Sequence, residues 1–222
     1  MRLRNVVLGV SKLPDTIAST PWACWKCGHA EGHSLFCTAC RTLQPPTQEY
    51  YTLLGLPRKL DLDTNELQAR FYELSRHVHP DLFTRGSERE RQYSLDASSV
   101  LNDAYRTLRD PVKRAQYVLK QEGFDIGEQR SKDVPPELLE EVFELNMALE
   151  ELRGGDDSAR PQLQSARENF LRMLSEVDSE LQSLFQQFDA TGDRDILGQV
   201  RGVLNRRKYI ENLVNVVQEA LG

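Results

Sequence analysis

The sequence predicts a mainly α-helical fold: a small cysteine-rich knot, a helical hairpin, and then an antiparallel three-helix bundle. Three observations predict it. Apolar residues recur at helical spacing on both sides of a prolyl turn at 79–81 and through three further stretches after residue 137. Glycines paired with Asp or Ser separate those later stretches. All four cysteines fall between positions 24 and 40.

The knot is assigned to residues 21–43. Cys24-Trp25-Lys26-Cys27 and Cys37-Thr38-Ala39-Cys40 are two CxxC units separated by nine residues. Two such turns can aim four thiolates at one point, as tetrahedral zinc requires, and metal would then supply most of the folding energy of so short a loop. The expected ligands are Cys24, Cys27, Cys37 and Cys40, with zinc in a closed, structural role. A redox CxxC pair and a rubredoxin-type iron site are the alternatives. His29 and His33 lie within the loop and read as surface residues, since four cysteines already complete a ligand set. Gln44-Pro45-Pro46-Thr47-Gln48 reads as a linker.

Residues 49–121 form the hairpin. Leu67, Phe71, Leu74 and Val78 mark one helix; Leu95, Val100, Leu101, Ala104, Tyr105 and Leu108 mark the next, stopped before Asp110-Pro111. Pro80 ends the first helix and exposes His79 and Asp81 beside it. The tripeptide in this frame, with Tyr50 to Leu56 before it and Asn102 to Tyr117 after it, resembles the J-domain over about residues 49–120.

That resemblance implies docking on a DnaK-type heat-shock chaperone whose ATP hydrolysis is stimulated. His79, Pro80 and Asp81 would be the activating residues, with Arg70, Arg76 and His77 as helix contacts. Asp81 would accept a charged hydrogen bond from an arginine of the chaperone. Two departures stand out: Leu82 occupies a place where many J-domains carry lysine, and Glu66 and Glu73 dilute the basic face of the first helix. No nucleotide-binding loop, nucleophile–base set or open metal site is visible, so the chain is not expected to be an enzyme.

Residues 137–221 read as three helices broken at Arg153 to Ser158 and at Ala190 to Asp193. In the first, Leu138, Val142, Leu145, Leu149 and Leu152 form the principal stripe. Leu139, Phe143 and Met147 form a second line one residue round the helix, among Glu140, Glu141 and Glu144. Such a line is either the wide face of a bundle helix or an exposed partner site.

With Leu56-Pro57, Arg109-Asp110-Pro111 and Arg114-Ala115 in the J-like part, joined to an acidic three-helix bundle, the whole chain resembles the HscB family of iron–sulfur cluster co-chaperones. The tetracysteine knot resembles its animal mitochondrial members. The resemblance implies that the bundle binds the cluster scaffold IscU/ISCU through Leu139, Phe143 and Tyr209, favouring the partner-site reading. It also implies a mitochondrial DnaK-type chaperone and apo iron–sulfur client proteins as partners. Glu140 stands where bacterial members carry an apolar residue. A J-protein adaptor for other clients and a cysteine-based redox protein are the competing functions.

Charge and length exclude other classes. Net charge is −6, with 5 basic against 2 acidic residues in 1–47, 14 against 15 in 48–136 and 9 against 17 in 137–222. So acidic a C-terminal third offers no nucleic-acid surface, and no apolar run is long enough to cross a membrane. Residues 1–20 carry no acid before Asp15 and read equally as a transit-peptide-like segment or a free tail; the family resemblance implies the mitochondrial matrix, with a further pool in the cytoplasm.

Overall fold

The computed structural model describes residues 22–31, 34–124 and 138–222. The transit-like segment 1–20, His33, Glu137 and most of the connector at 123–136 lie outside them. A two-stranded ribbon, β1 (Trp22–Ala23) and β2 (Ala30–Glu31), opens the knot. The hairpin part contains α1 (Tyr50–Leu54), α2 (Thr64–Val78), a 3₁₀ turn (Pro80–Phe83), α3 (Glu88–Arg109) and α4 (Pro111–Gln121). The bundle contains α5 (Leu139–Arg153), α6 (Arg160–Thr191) and α7 (Arg194–Leu221). The fold is mainly α-helical, as the apolar periodicity predicts.

Side chains set the helix starts. Asp63 accepts hydrogen bonds from the Asn65 and Glu66 amides to open α2, and Asp110 accepts from Val112 and Lys113 to open α4, whose first residue is Pro111. Ser87 and Glu90 form a reciprocal capping box on α3. Between α6 and α7, Gly192 takes a left-handed conformation (φ 68°) and Asp193 caps the next helix, as the Ala190 to Asp193 break predicts. The other break differs from expectation. Asp156 caps a short 3₁₀ turn, Asp157–Ala159, and α6 then begins behind Ala159 with no side-chain cap.

Packing of α2 against α3 buries Leu67, Val78, Ala97, Leu101, Ala104 and Leu108. Leu95, read from the sequence as part of the buried stripe, is 54% exposed. Ser94 and Ala97 take the inward positions instead, because small side chains let the helices approach closely. The Ser94 hydroxyl donates to the Val78 carbonyl at 2.6 Å and so satisfies the end of α2.

A polar latch joins the hairpin part to the bundle. Asp189 of α6 accepts hydrogen bonds from the Leu60 and Asp61 amides at 2.8 and 2.7 Å. The Asp61 carboxylate in turn accepts from Gln182 and Gln186. Arg194 donates to the Glu122 carbonyl, and Arg58 pairs with the Glu122 side chain. Beneath the latch, buried Arg114 donates to the carbonyls of Leu60 and Leu108, so the cation closes two chain segments that would otherwise end unsatisfied.

Candidate functional site

Three surfaces carry the predicted functional residues. The first is the cysteine knot, built from two turns with the same hydrogen bonds. Gly28 N–H donates to Cys24 O and Cys24 N–H to His29 O; Arg41 N–H donates to Cys37 O and Cys37 N–H to Thr42 O. Each turn needs a left-handed residue after its second cysteine, supplied by Gly28 (φ 71°) and Arg41 (φ 59°). The four Sγ atoms converge within 4.8 Å of one another. Cys24 lies 3.6 Å from Cys40, and Cys27 lies 3.7 Å from Cys37. A tetrahedron of metal–sulfur bonds near 2.3 Å has edges of about 3.8 Å, so the arrangement can hold a metal ion.

The local donors fit that use. Lys26 and Cys40 amides point at the Cys24 and Cys37 sulfurs, and Gln44 Nε2 lies 3.4 Å from Cys24 Sγ. Contacts from Thr42 pull the Cys40 thiol down to about 6. The Cys40 amide favours a Cys37 thiolate, but burial and the neighbouring sulfurs push that thiol up to about 12. Four thiolates cannot share so small a space without a cation among them. Gln44 corrects the sequence reading: it is buried, bonded to Thr42 O and Trp25 N, and belongs to the knot, not the linker. Only the sulfur geometry reveals this, since glutamine before two prolines looks like loop.

The second surface is the corner between α2 and α3. His79 and Asp81 are exposed on either side of Pro80, with His79 Nδ1 3.3 Å from the Asp81 amide and 3.5 Å from its carboxylate. Leu82 is exposed directly after them. Arg76 shares the side of α2 leading to His79, and His77 bonds through Nδ1 to the Glu73 carbonyl. Arg70 lies two turns before His77 on the same side of α2. It pairs with Glu73 at 3.0 Å and lines a hollow with Ser34, Phe36, Gly55 and Leu74. Exposed Tyr72, one turn before Arg76, shares the side of α2 that leads to His79. Its place seven residues before His79, two helical turns, was the available signal.

The third surface lies on α5. Leu138, Leu145, Ala148 and Leu149 are buried, whereas Leu139, Phe143 and Met147 are 55%, 66% and 48% exposed. Glu140 and Glu144 are exposed around them. Tyr209 of α7 is half-buried, and that burial raises its phenol pKa. Ion pairs from Asp178 to Arg207 and Glu180 to Arg206 also link α6 to α7.

A DnaJ domain profile matches residues 49–117, and an HSCB C-terminal oligomerisation domain profile matches residues 134–218. The chain is 32% identical to the mouse (Mus musculus) iron–sulfur cluster co-chaperone protein HscB, over 85% of this chain and 81% of that protein. The chain belongs to the HscB family of iron–sulfur cluster co-chaperones. The human (Homo sapiens) HscB is 33% identical, over 85% of this chain and 80% of its own length. The crystal structure of human HscB matches with a TM-score of 0.68 and 30% identity, covering 89% of this chain and 97% of that one. HscB from Vibrio cholerae matches with a TM-score of 0.54 and 29% identity, over 77% and 95% of the two chains. Within the family framework, the corner at 79–81 lies in the J-domain and the α5 surface in the HscB C-terminal domain.

Proposed function

We propose that the chain is a two-ended adaptor in iron–sulfur cluster biogenesis. His79, Pro80 and Asp81, with Arg76 and His77 nearby, dock on a DnaK-type mitochondrial heat-shock chaperone and stimulate its ATP hydrolysis. Leu139, Phe143 and Tyr209 bind the cluster scaffold IscU/ISCU. Arg70 contributes at the edge of the chaperone contact from its place beside Gly55. Residues 49–121 and 137–221 act as the two binding units, and linking them raises the effective concentration of scaffold at the chaperone. The chain contributes surfaces only; hydrolysis belongs to the partner. Apo iron–sulfur proteins receive the cluster, and the site of action is the mitochondrial matrix.

The observation that carries this reading is the division of α5 into two apolar lines. One line packs inward, and Leu139, Phe143 and Met147 stand out among acids where a solvated helix would carry polar groups. Zinc in the four-cysteine site has a structural role, because thiolates fill every position and leave none open to substrate. Single-turnover ATPase of the chaperone, measured with and without scaffold, tests the adaptor. The native chain should stimulate hydrolysis further when scaffold is present, and Leu139→Ala with Phe143→Ala should remove only that extra component. Equal stimulation by scaffold in the double variant would overturn the assignment of the α5 surface.

A further inference from the structure

We infer that the cysteine knot is a brace on the 79–81 corner, so that its metal-bound state sets how firmly His79, Pro80 and Asp81 are held. The functional consequence rests on the chaperone-docking role proposed above; the structural claim stands apart from it.

The corner holds itself together with few bonds. Leu82 N–H donates to His79 O, the Thr84 hydroxyl to Asp81 O, and Gly86 N–H to Phe83 O. None of the residues from Pro80 to Phe83 is buried. Phe83 packs half-buried against the core from the corner itself, and the rest of the hold comes through its two arms, the end of α2 and the start of α3. Ser94 ties the arms together from inside through Val78 O.

From outside, the knot grips both arms. Phe36 sets its ring edge-on to His77 of α2, centroids 6.4 Å apart. Trp25 sets its ring edge-on to Tyr93 of α3 at 6.1 Å, and the Arg89 guanidinium lies 5.1 Å over the same indole. Lys26 pairs at 3.9 Å with Glu90, the residue that closes the capping box of α3 with Ser87. Leu35 and Leu43 join the same apolar core as α1 and α2.

These gripping residues are placed by the ligand turns. Trp25 and Lys26 are the two residues between Cys24 and Cys27, and Phe36 immediately precedes Cys37. Trp25 is further fixed by its indole N–H, which donates to Leu43 O at 2.8 Å. The knot has too few apolar residues to order its turns alone, so the thiolates must be drawn together for Trp25, Lys26 and Phe36 to reach α2 and α3. Loss of that order releases His77, Arg89, Glu90 and Tyr93 together, which loosens both sides of the corner while leaving the α6–α7 hairpin untouched.

Amide hydrogen exchange on the full chain tests the brace, comparing metal-loaded protein with protein stripped by chelator under reducing conditions. Phe36→Ala and Arg89→Ala, one from each side of the contact, are examined alongside with their metal content measured, since neither is a ligand. Peptides spanning 76–90 should exchange at least about fivefold faster in the stripped protein and in Phe36→Ala, by a smaller factor in Arg89→Ala, with α6 and α7 unchanged. Unchanged protection at 76–90 in the stripped protein, or in both fully metallated variants, would overturn the brace. Chaperone stimulation should fall several-fold in Phe36→Ala with scaffold affinity constant. If exchange responds while stimulation does not, the functional consequence is wrong; if metal-loaded native chain fails to stimulate at all, the adaptor reading fails and the exchange result still decides the brace.

Discussion

The corner at 79–81 and the α5 face expose the groups proposed to bind partners by opposite physical means. At the corner, exposure is local: Pro80 stops α2, and His79 and Asp81 flank it in a turn too short to bury anything. On α5, exposure is a tertiary result. Leu139 and Leu138 are neighbours of the same type, yet the first is 55% exposed and the second is fully buried. Backbone chemistry builds the first surface, and the angle at which a helix sits on its neighbours builds the second. A substitution at the corner should therefore change function with little effect on folding, whereas on α5 one helix contains both kinds of position.

The largest expected effect lies at the corner. His79→Gln should abolish stimulation of chaperone ATP hydrolysis, returning it to the basal rate, with helicity by circular dichroism and scaffold affinity unchanged. Stimulation at the native level would remove His79 from the docking surface.

On α5 the comparison can be made within one helix. Leu139→Ala with Phe143→Ala should weaken scaffold binding by about 2–4 kcal/mol, roughly 30- to 1000-fold by calorimetry, with little change in the unfolding midpoint. Leu145→Ala should do the reverse, lowering stability by about 2–4 kcal/mol through a cavity in the bundle, measured by denaturant unfolding. If both variants lost only stability, the outward line would be structural and the contrast between the two surfaces would collapse.

A smaller effect is expected where the two surfaces are joined. Asp189→Ala leaves the Leu60 and Asp61 amides without their acceptor and should cost about 1–3 kcal/mol in unfolding free energy. Each end should still bind its own partner, while the additional stimulation seen with scaffold should fall. Retained synergy with weakened stability would show that the angle between the ends is unimportant.

The smallest effect is a pH dependence. Burial raises the Glu49 pKa, but hydrogen bonds from Thr52, Gln121 and Tyr117 outweigh it and hold the carboxyl below its ordinary value. Its folded pKa is thus depressed, so the stability it contributes is complete above the unfolded value and is lost as pH falls through the folded one. Between about pH 5 and pH 3 the native thermal midpoint should fall more steeply than that of Glu49→Gln. Parallel curves would show that this cap contributes nothing to the acid response of the J-domain.

Two departures from the sequence reading have a single cause. Leu95 satisfied the helical period and yet faces solvent, because Ser94 and Ala97 fit the close contact with α2. Gln44 resembled linker and proved to contact Cys24 Sγ. In each case the residue type is compatible with either environment, and the environment is set by segments distant along the chain.

The amino-acid order alone determined the helices, the cap at the α6–α7 break, the two CxxC turns and the prolyl corner, because each depends on residues within a few positions of one another. Only the tertiary structure decided which apolar line of α5 faces solvent, which cations share a surface and that the knot packs against the end of α2 and the start of α3. Those outcomes follow from side-chain packing between segments, and helical periodicity leaves the rotation of one helix against its neighbours undetermined.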